Sequence, residues 1–267
     1  MKKMLALALI LALAALSGAA AAEPFRVGME CDYAPFNWTQ AEPSDDAVPI
    51  ENGGFADGYD VQIARMIADE LGRELVIVRT DWDGLPMAVM SGKIDAIIAG
   101  MSPTAERALT IDFSDPYYES DLVVVVRKDS PYADAQTLAD LSGAAITAQL
   151  NTFHYTVIGQ IPGVNVRTAM ETFPAMIVAL NAPTIDGYIS ERPGAVSAAA
   201  ANPDLTFVSF AEGEGFVASP EDVAIAVGLK KGSGLAEPIN AALAAIDRDT
   251  RQRMMDDAVA RQPLSEE

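Results

Sequence analysis

The sequence predicts an α/β protein built from two lobes. Short apolar runs alternate with segments of helical spacing along most of the chain, which is typical of parallel βαβ units. The order then repeats: a helix that opens with an apolar residue and Pro leads to an Ile-Asp strand start, first at 85–95 and again at 173–186. Half of the 267 residues are hydrophobic, so two lobes of ordinary size are able to bury cores.

Local patterns place the individual elements. In the first half we expect strands at 25–29, 75–78, 94–99 and 122–127, helices at 59–71 and 85–90, and a loop at 34–58. In the second half we expect strands at 144–148, 185–189 and 223–230 and helices at 153–161, 173–180, 238–246 and 250–259. Helix 59–71 is the clearest case, because its apolar residues share one face and Gly72 follows as a stop signal.

The two lobes are expected to use discontinuous parts of the chain. The terminal helices must pack on something already built, so residues 23–121 plus 226–267 are predicted to form lobe 1 and residues 122–225 lobe 2. Two crossing strands, near 121–123 and 223–226, would join the lobes as a hinge.

The N-terminus has the order of a secretory signal peptide. Lys2 and Lys3 precede an apolar run at 4–16, and small residues follow up to Ala22, so residues 1–22 are predicted to be removed. The run is shorter than the roughly 20 residues that span a bilayer, although an uncleaved anchor is an alternative. No Cys lies near this site to carry a lipid, so we expect a periplasmic protein without stable membrane insertion.

Composition excludes several classes of function. The net charge of −20 argues against nucleic acid and anionic lipid as partners and weakly favours a cationic ligand. The single Cys, Cys31, leaves no disulfide within the chain. With one His and no Gly-rich phosphate loop, the sequence predicts no metal, no cofactor and no nucleophilic enzyme, since a Ser-His-Asp site would depend on His154 alone.

One polar stretch directly follows the predicted strand 94–99. Ser102 before Pro103 predicts a helix start, which would place Arg107 near the positive end of the helix dipole. That position becomes favourable if an anion binds there between the guanidinium and the free N–H groups. The alternative is a solvated Arg107 beside Glu106.

Several blocks together resemble one family. Residues 28–36 (GMECDYAPF), 58–61 (GYDV), 81–85 (DWDGL), 91–102 (SGKIDAIIAGMS) and 112–118 (DFSDPYY) resemble the polar amino-acid-binding proteins of bacterial ABC importers, the extracellular solute-binding proteins of family 3. The resemblance implies a type II periplasmic-binding-protein-like fold, in which each lobe has a mixed, mostly parallel sheet flanked by helices. It also implies a protein that binds an amino acid in the interlobe cleft and delivers it to a membrane permease; a monomer is our default expectation.

The resemblance also implies the ligand-binding residues. Arg107 would hold the α-carboxylate, Glu191 would hold the α-ammonium, and the remaining backbone and polar contacts would come from Gly100, Met101, Ser102, Gln149, Thr152 and Phe153. Two positions depart from the family pattern: Asn151 stands where Gly is usual, and Glu191 where Asp is more frequent. For Glu191 the alternative is a solvated residue paired with Arg192.

Three further residues are expected to select the ligand side chain. Tyr33 and Trp82 match the aromatic walls of the family pocket, and Glu30 matches an acid that answers a basic side chain. This combination predicts arginine or lysine and disfavours acidic ligands. The alternatives are that both aromatic residues are ordinary core, or that the ligand is a neutral polar amino acid or an opine-like compound.

Two rival functions use the same fold. A sensory module would present the ligand to a membrane receptor through identical binding chemistry. A dehydratase of cyclic acids would need a general acid or base, for which Glu30, Glu191 and His154 are the candidates. Apart from that rival, the role of His154 stays open at this stage.

Overall fold

The protein is described here by a computed structural model that covers residues 22–51 and 53–263. Apart from Ala22, the predicted signal peptide lies outside these residues. The strands, in chain order, are β1 (Phe25–Met29), β2 (Asp32–Tyr33), β3 (Asn37–Gln40), β4 (Val48–Pro49), β5 (Phe55–Asp57), β6 (Leu75–Arg79), β7 (Ala96–Ile97), β8 (Asp112–Glu119), β9 (Leu122–Arg127), β10 (Ala145–Thr147), β11 (Asn165–Val166), β12 (Gly187–Glu191), β13 (Leu205–Val208) and β14 (Ala224–Leu229).

Each lobe is organised around a five-stranded mixed sheet. The first sheet has the order β6-β1-β7-β14-β8, in which β1 runs parallel to β6 and β7, and β14 runs antiparallel to β7 and β8. The second sheet has the order β11-β10-β12-β9-β13, with β10 parallel to both neighbours and β9 antiparallel to both of its own. The two sheets therefore share one pattern, as the internal repeat in the sequence predicts.

Helices cover the sheets and carry clear sequence signals. They are α1 (Tyr59–Glu70), α2 (Leu85–Ser91), α3 (Phe153–Val157), α4 (Phe173–Asn181), α5 (Arg192–Ala201), α6 (Pro220–Val223), α7 (Ala236–Ala244) and α8 (Arg248–Arg261). Thr172 caps α4 by accepting from the Ala175 amide, and Pro174 occupies its first turn. Asp247 caps α8 in the same way through the Thr250 amide. The terminal helices α7 and α8 both pack on α1, in the first lobe.

Strand β9 in the sheet of the second lobe is buried on both of its faces. Val123 and Val125 face one buried cluster, whereas Val124 and Val126 face another, because successive side chains of a strand point to opposite faces. A strand that is covered on both faces has an unbroken run of apolar residues in the sequence. The strand predicted at 122–127 therefore begins and ends at the residues expected.

The chain passes between the two sheets twice, at neighbouring positions. β8 ends at Glu119 in the first sheet and β9 begins at Leu122 in the second. The chain returns where Ala224 of β14 pairs with Glu119, and the Ser120 amide donates to the Val223 carbonyl at 3.1 Å. Between residues 22 and 263, leaving aside residue 52, no helix is both long and apolar enough to cross a membrane.

Two local predictions are wrong. The segment 34–58 is not a loop, because β2 to β5 form a four-stranded antiparallel sheet whose strands, at two to four residues, are too short to show an alternating pattern. The helix predicted to start at Pro103 is also absent, and only a 3-10 helix, Arg107–Leu109, forms. There the Met101 carbonyl accepts from the Ala226 amide at 3.0 Å, which ties the segment to β14 instead.

Candidate ligand-binding site

A small cavity lies where the two lobes meet. Its volume is about 10 Å³, the space that roughly one water molecule needs. The residues that line it are Tyr33, Trp82, Ala99, Gly100, Ser102, Arg107, Gln149, Thr152, Phe153, His154, Phe173 and Glu191. The structure thus brings together every predicted site residue except Glu30 and Met101.

Tyr33 lies at the centre of the contact between the lobes. Its ring stacks on Phe173 with the ring centres 3.9 Å apart and the planes at 10°. Gly100, at φ 63°, backs the same ring: a Cβ atom there would lie 3.0 Å from Cε1 of Tyr33, so a larger residue would press on the ring and would also need an unfavourable backbone conformation. Phe173 was not predicted as a site residue, although the helix start at Phe173-Pro174 was recognised.

A buried polar network supports this part of the first lobe. The Asp60 carboxylate accepts from the Tyr117 hydroxyl at 2.7 Å and from Asn37 Nδ2 at 2.8 Å. The Asn37 side-chain oxygen in turn accepts from the Cys31 amide, which fixes the turn between Glu30 and Tyr33. Burial raises the pKa of Asp60 to about 6, although both hydrogen bonds work against that shift.

Glu191 is enclosed by donors from both lobes. His154 Nε2 lies 3.0 Å from Oε1 of Glu191, and the Tyr33 hydroxyl donates to Oε2. Burial alone would raise the pKa of Glu191, but the charge and hydrogen bond of His154, with the Tyr33 bond, hold it below its usual value. Burial, followed by the neighbouring Glu191, raises the pKa of Tyr33 well above its usual value. Nδ1 of His154 is buried without a hydrogen-bond partner.

Arg107 reaches across the same cavity. Its guanidinium carbon lies 4.9 Å from the centre of the Trp82 ring, a cation–π distance. Nη1 donates to the Ser102 carbonyl at 2.9 Å and Nη2 to the Asn151 carbonyl at 3.1 Å. Burial lowers the pKa of Arg107 to about 10, which leaves it charged at neutral pH.

Glu30 lies beside a second, larger chamber of about 290 Å³ that shares Trp82 with the first cavity. Gln149 Nε2 donates to both Glu30 oxygens, at 3.1 and 3.3 Å. Burial, then the charge of Asp32, raises the pKa of Glu30 to about 8. The chamber is lined by Glu30, Asp32, Arg79, Asp81, Trp82, Asp83, Leu150, Glu171 and Thr172. Of its acidic residues only Glu30 was predicted as a site residue, although Asp32, Asp81 and Asp83 lie within two residues of Glu30 or Trp82 in the sequence.

The turn at Asn151 keeps the left-handed backbone that the family pattern requires. Asn151 has φ 55°, a region that asparagine tolerates better than most residues. Its side-chain Nδ2 donates to Asp83 Oδ1 at 2.8 Å. Met101, by contrast, contributes no surface to either cavity and is tied through its carbonyl to Ala226. Among the described residues, no group of three or more His, Cys, Asp or Glu is arranged to hold a metal ion.

The chain is similar in sequence to known solute-binding proteins. The model of the bacterial extracellular solute-binding proteins, family 3, matches residues 25–258. The chain is 34% identical over 195 residues to the probable histidine-binding protein of Campylobacter jejuni, which covers 72% of this chain and 70% of that protein. It is 29% identical over 249 residues to ABC transporter arginine-binding protein 1 of Escherichia coli, covering 90% and 92%.

Solved structures agree with the fold. The crystal structure of an amino acid ABC transporter substrate-binding protein from Streptococcus pneumoniae bound to L-arginine matches with a TM-score of 0.76 and 30% identity, over 89% of this chain and 94% of that one. A mutant of the arginine-binding protein ArgBP from T. maritima matches with a TM-score of 0.72 and 29% identity, over 90% and 96%. The two-lobed α/β prediction is confirmed, and the chain belongs to the bacterial extracellular solute-binding proteins, family 3.

Proposed function

We propose that this protein captures a cationic amino acid, arginine or lysine, between its lobes and delivers it to the membrane permease of an ABC importer. The observation that carries the ligand class is the buried Glu30 carboxyl group, which lines the acidic chamber that shares Trp82 with the interlobe cavity. Burial disfavours the charged form of Glu30, and a basic side chain stabilises that form. A relative named as arginine-binding and a structural neighbour solved with bound L-arginine support the same class.

The ends of the ligand would be held by two opposite charges. Arg107 on the first lobe offers its guanidinium fork to the α-carboxylate, helped by Ser102 and by the backbone near Thr152. Glu191 on the second lobe offers an ionised carboxylate to the α-ammonium. Because the two charges lie on different lobes, a zwitterion between them favours closure, which is how a ligand shifts such an equilibrium.

The side chain would run past Trp82 toward Glu30. Trp82 lines both the small cavity and the acidic chamber, so its ring marks the passage between them. Beyond Glu30, the chamber carries Asp32, Asp81 and Asp83 against a single base, Arg79, so its net charge favours a cation by long-range attraction. An acidic side chain in that passage would meet like charge and be rejected.

The protein acts as a carrier in this proposal and not as an enzyme. The lobes are taken as residues 23–121 plus 226–267 and 122–225, with the two neighbouring crossings as the hinge. A cavity of about 10 Å³ does not admit an amino acid, so the lobes must separate for loading and release. We infer export into the periplasm through residues 1–22 and release of the ligand when the permease opens the cleft.

Titration calorimetry on the mature chain with a panel of ligands tests the proposal. The panel is arginine, lysine, ornithine, histidine, cystine, glutamine and glutamate. We expect arginine or lysine to bind most tightly and glutamate not to bind. A preference for glutamate or for a neutral amino acid would contradict the ligand class, and recovery of a chemically altered ligand would contradict the carrier role.

A further inference from the structure

Asn151 connects the second lobe to two groups of the first. Its Nδ2 donates to Asp83 Oδ1 at 2.8 Å, and its carbonyl oxygen accepts from Arg107 Nη2 at 3.1 Å. Both contacts lie at the solvent-exposed rim of the site. Asn151 of the second lobe thus contacts two parts of the first lobe. One is the guanidinium of Arg107, which is proposed to anchor the ligand, and the other is the segment that contains Asp83.

The partners of Asn151 are linked to each other through Trp82. Asp83 belongs to the 3-10 helix Trp82–Gly84, so a bond to Asp83 fixes the helix that carries the Trp82 ring. The same ring supports the Arg107 guanidinium at 4.9 Å. The contacts of Asn151 therefore fix the positions of Arg107 and Trp82 relative to each other and to the second lobe.

The backbone explains why asparagine is suited to this position. At φ 55°, glycine and asparagine are among the few residues that fit without strain. Glycine would provide the turn alone. Asparagine provides the same turn and adds an amide that reaches the opposite lobe.

We propose that Asn151 is a positioning residue that latches the lobes together through Asp83 and slows the release of a bound amino acid. The inference rests on the proposed ligand site between the lobes. Because the bond is exposed, its loss should accelerate release by about two- to tenfold, the range for a single hydrogen bond. The effect should appear mainly in the dissociation rate, where most affinity differences between related complexes arise.

Three variants distinguish the hydrogen bond between Asn151 and Asp83 from the role of Asn151 in the backbone turn. Asn151→Gly keeps the left-handed backbone and removes the amide, so release should become faster. Asn151→Asp places a carboxylate against Asp83, so release should become faster still. The double variant Asn151→Asp, Asp83→Asn exchanges the two groups, keeps the net charge of the wild type and restores the bond in the reverse direction. Glu42→Gln, at an exposed acid that lines neither cavity, is the matched control.

Two measurements are made on each variant. Stopped-flow fluorescence, for which Trp82 in the cavity wall is the intrinsic probe, gives the release rate of arginine. Energy transfer between dyes on cysteines introduced at the exposed Glu70 and Asp134 gives the closed fraction in amino-acid-free buffer, and the native Cys31 is spared because it is 1% exposed. We expect both single variants to lower the closed fraction and the double variant to restore it.

The exchange decides the outcome. A double variant whose closed fraction in amino-acid-free buffer is as low as that of Asn151→Asp, or an Asn151→Gly protein with the wild-type release rate and closed fraction, would overturn the latch. If wild type fails to bind arginine, the proposed ligand is wrong, and the closed fraction still tests the latch by itself.

Discussion

Replacing Glu30 with glutamine tests whether this carboxylate selects a cation, and the structure sets the size of the effect. Burial and the charge of Asp32 raise the pKa of Glu30 to about 8, so at pH 7 only about one tenth of the free protein carries the charge. A cationic side chain needs the ionised form. The free protein therefore holds a proton that the complex lacks, binding releases it, and a higher pH favours the complex.

The expected pH profile follows from that value. With Glu30 ionised throughout in the complex, the affinity for arginine should rise about ninefold from pH 6 to pH 7 and about fivefold from pH 7 to pH 8, then level off. At pH 7 the complex should release about 0.9 proton per arginine, which calorimetry in two buffers of different ionisation enthalpy measures directly.

Glutamine as a ligand and Glu30→Gln as a variant provide the controls. Asp60, with a pKa of about 6, lies near the same site, and its titration affects both ligands and both proteins. The variant should lose the arginine pH slope, bind arginine more weakly at pH 8, and bind glutamine as well as the wild type does. Two results would show that Glu30 has a structural role and does not select the ligand side chain. One is an affinity for arginine that still depends on pH in Glu30→Gln, and the other is an equal loss of affinity for both ligands.

The remaining predictions concern the two ends of the ligand and the absence of a metal. Arg107→Ala should cost at least about 2 to 4 kcal/mol for every α-amino acid by calorimetry; undiminished binding would remove the carboxylate anchor. Arg107→Lys should recover only part of this loss, because lysine keeps the charge but lacks the fork. Glu191→Gln should weaken arginine and glutamine binding by the same factor, whereas a loss confined to arginine would place Glu191 at the side chain instead. A chelator should change neither the melting temperature nor the affinity.

The sequence predicted the elements whose patterns are local. Helix α1 and strand β9 were expected within one residue of where they lie, because an amphipathic helix and a fully covered strand each have a strong period or run. The strands β2 to β5 were missed, since segments of two to four residues carry too little pattern. The predicted helix at Pro103 obeyed the capping rules, yet the pairing of Met101 with β14 prevailed over that local preference.

The candidate site was predictable as a set of residues but not as a set of contacts. The resemblance supplied Tyr33 and Trp82 as two walls of a pocket, and both residues line one cavity. Their partners were not foreseen: Tyr33 stacks on Phe173, and Trp82 lies against Arg107. The first contact depends on how the lobes meet and the second on how two segments of the first lobe fold together, and segments far apart in the chain give no local sign of either.

Hydrogen bonds that the proposed ligand-binding residues make within the protein affect how strongly a cationic ligand is preferred. Each group proposed to hold the ligand already has a protein partner: Arg107 has the Asn151 carbonyl, and Glu30 has Gln149. A ligand that enters exchanges these bonds for its own, so its gain is the difference between two paired states. A neutral amino acid would then leave Glu30 protonated and bonded to Gln149, at no large penalty. Preference for a cation would therefore come from the attraction gained when Glu30 loses its proton, which is why the preference should grow as the pH rises toward 8.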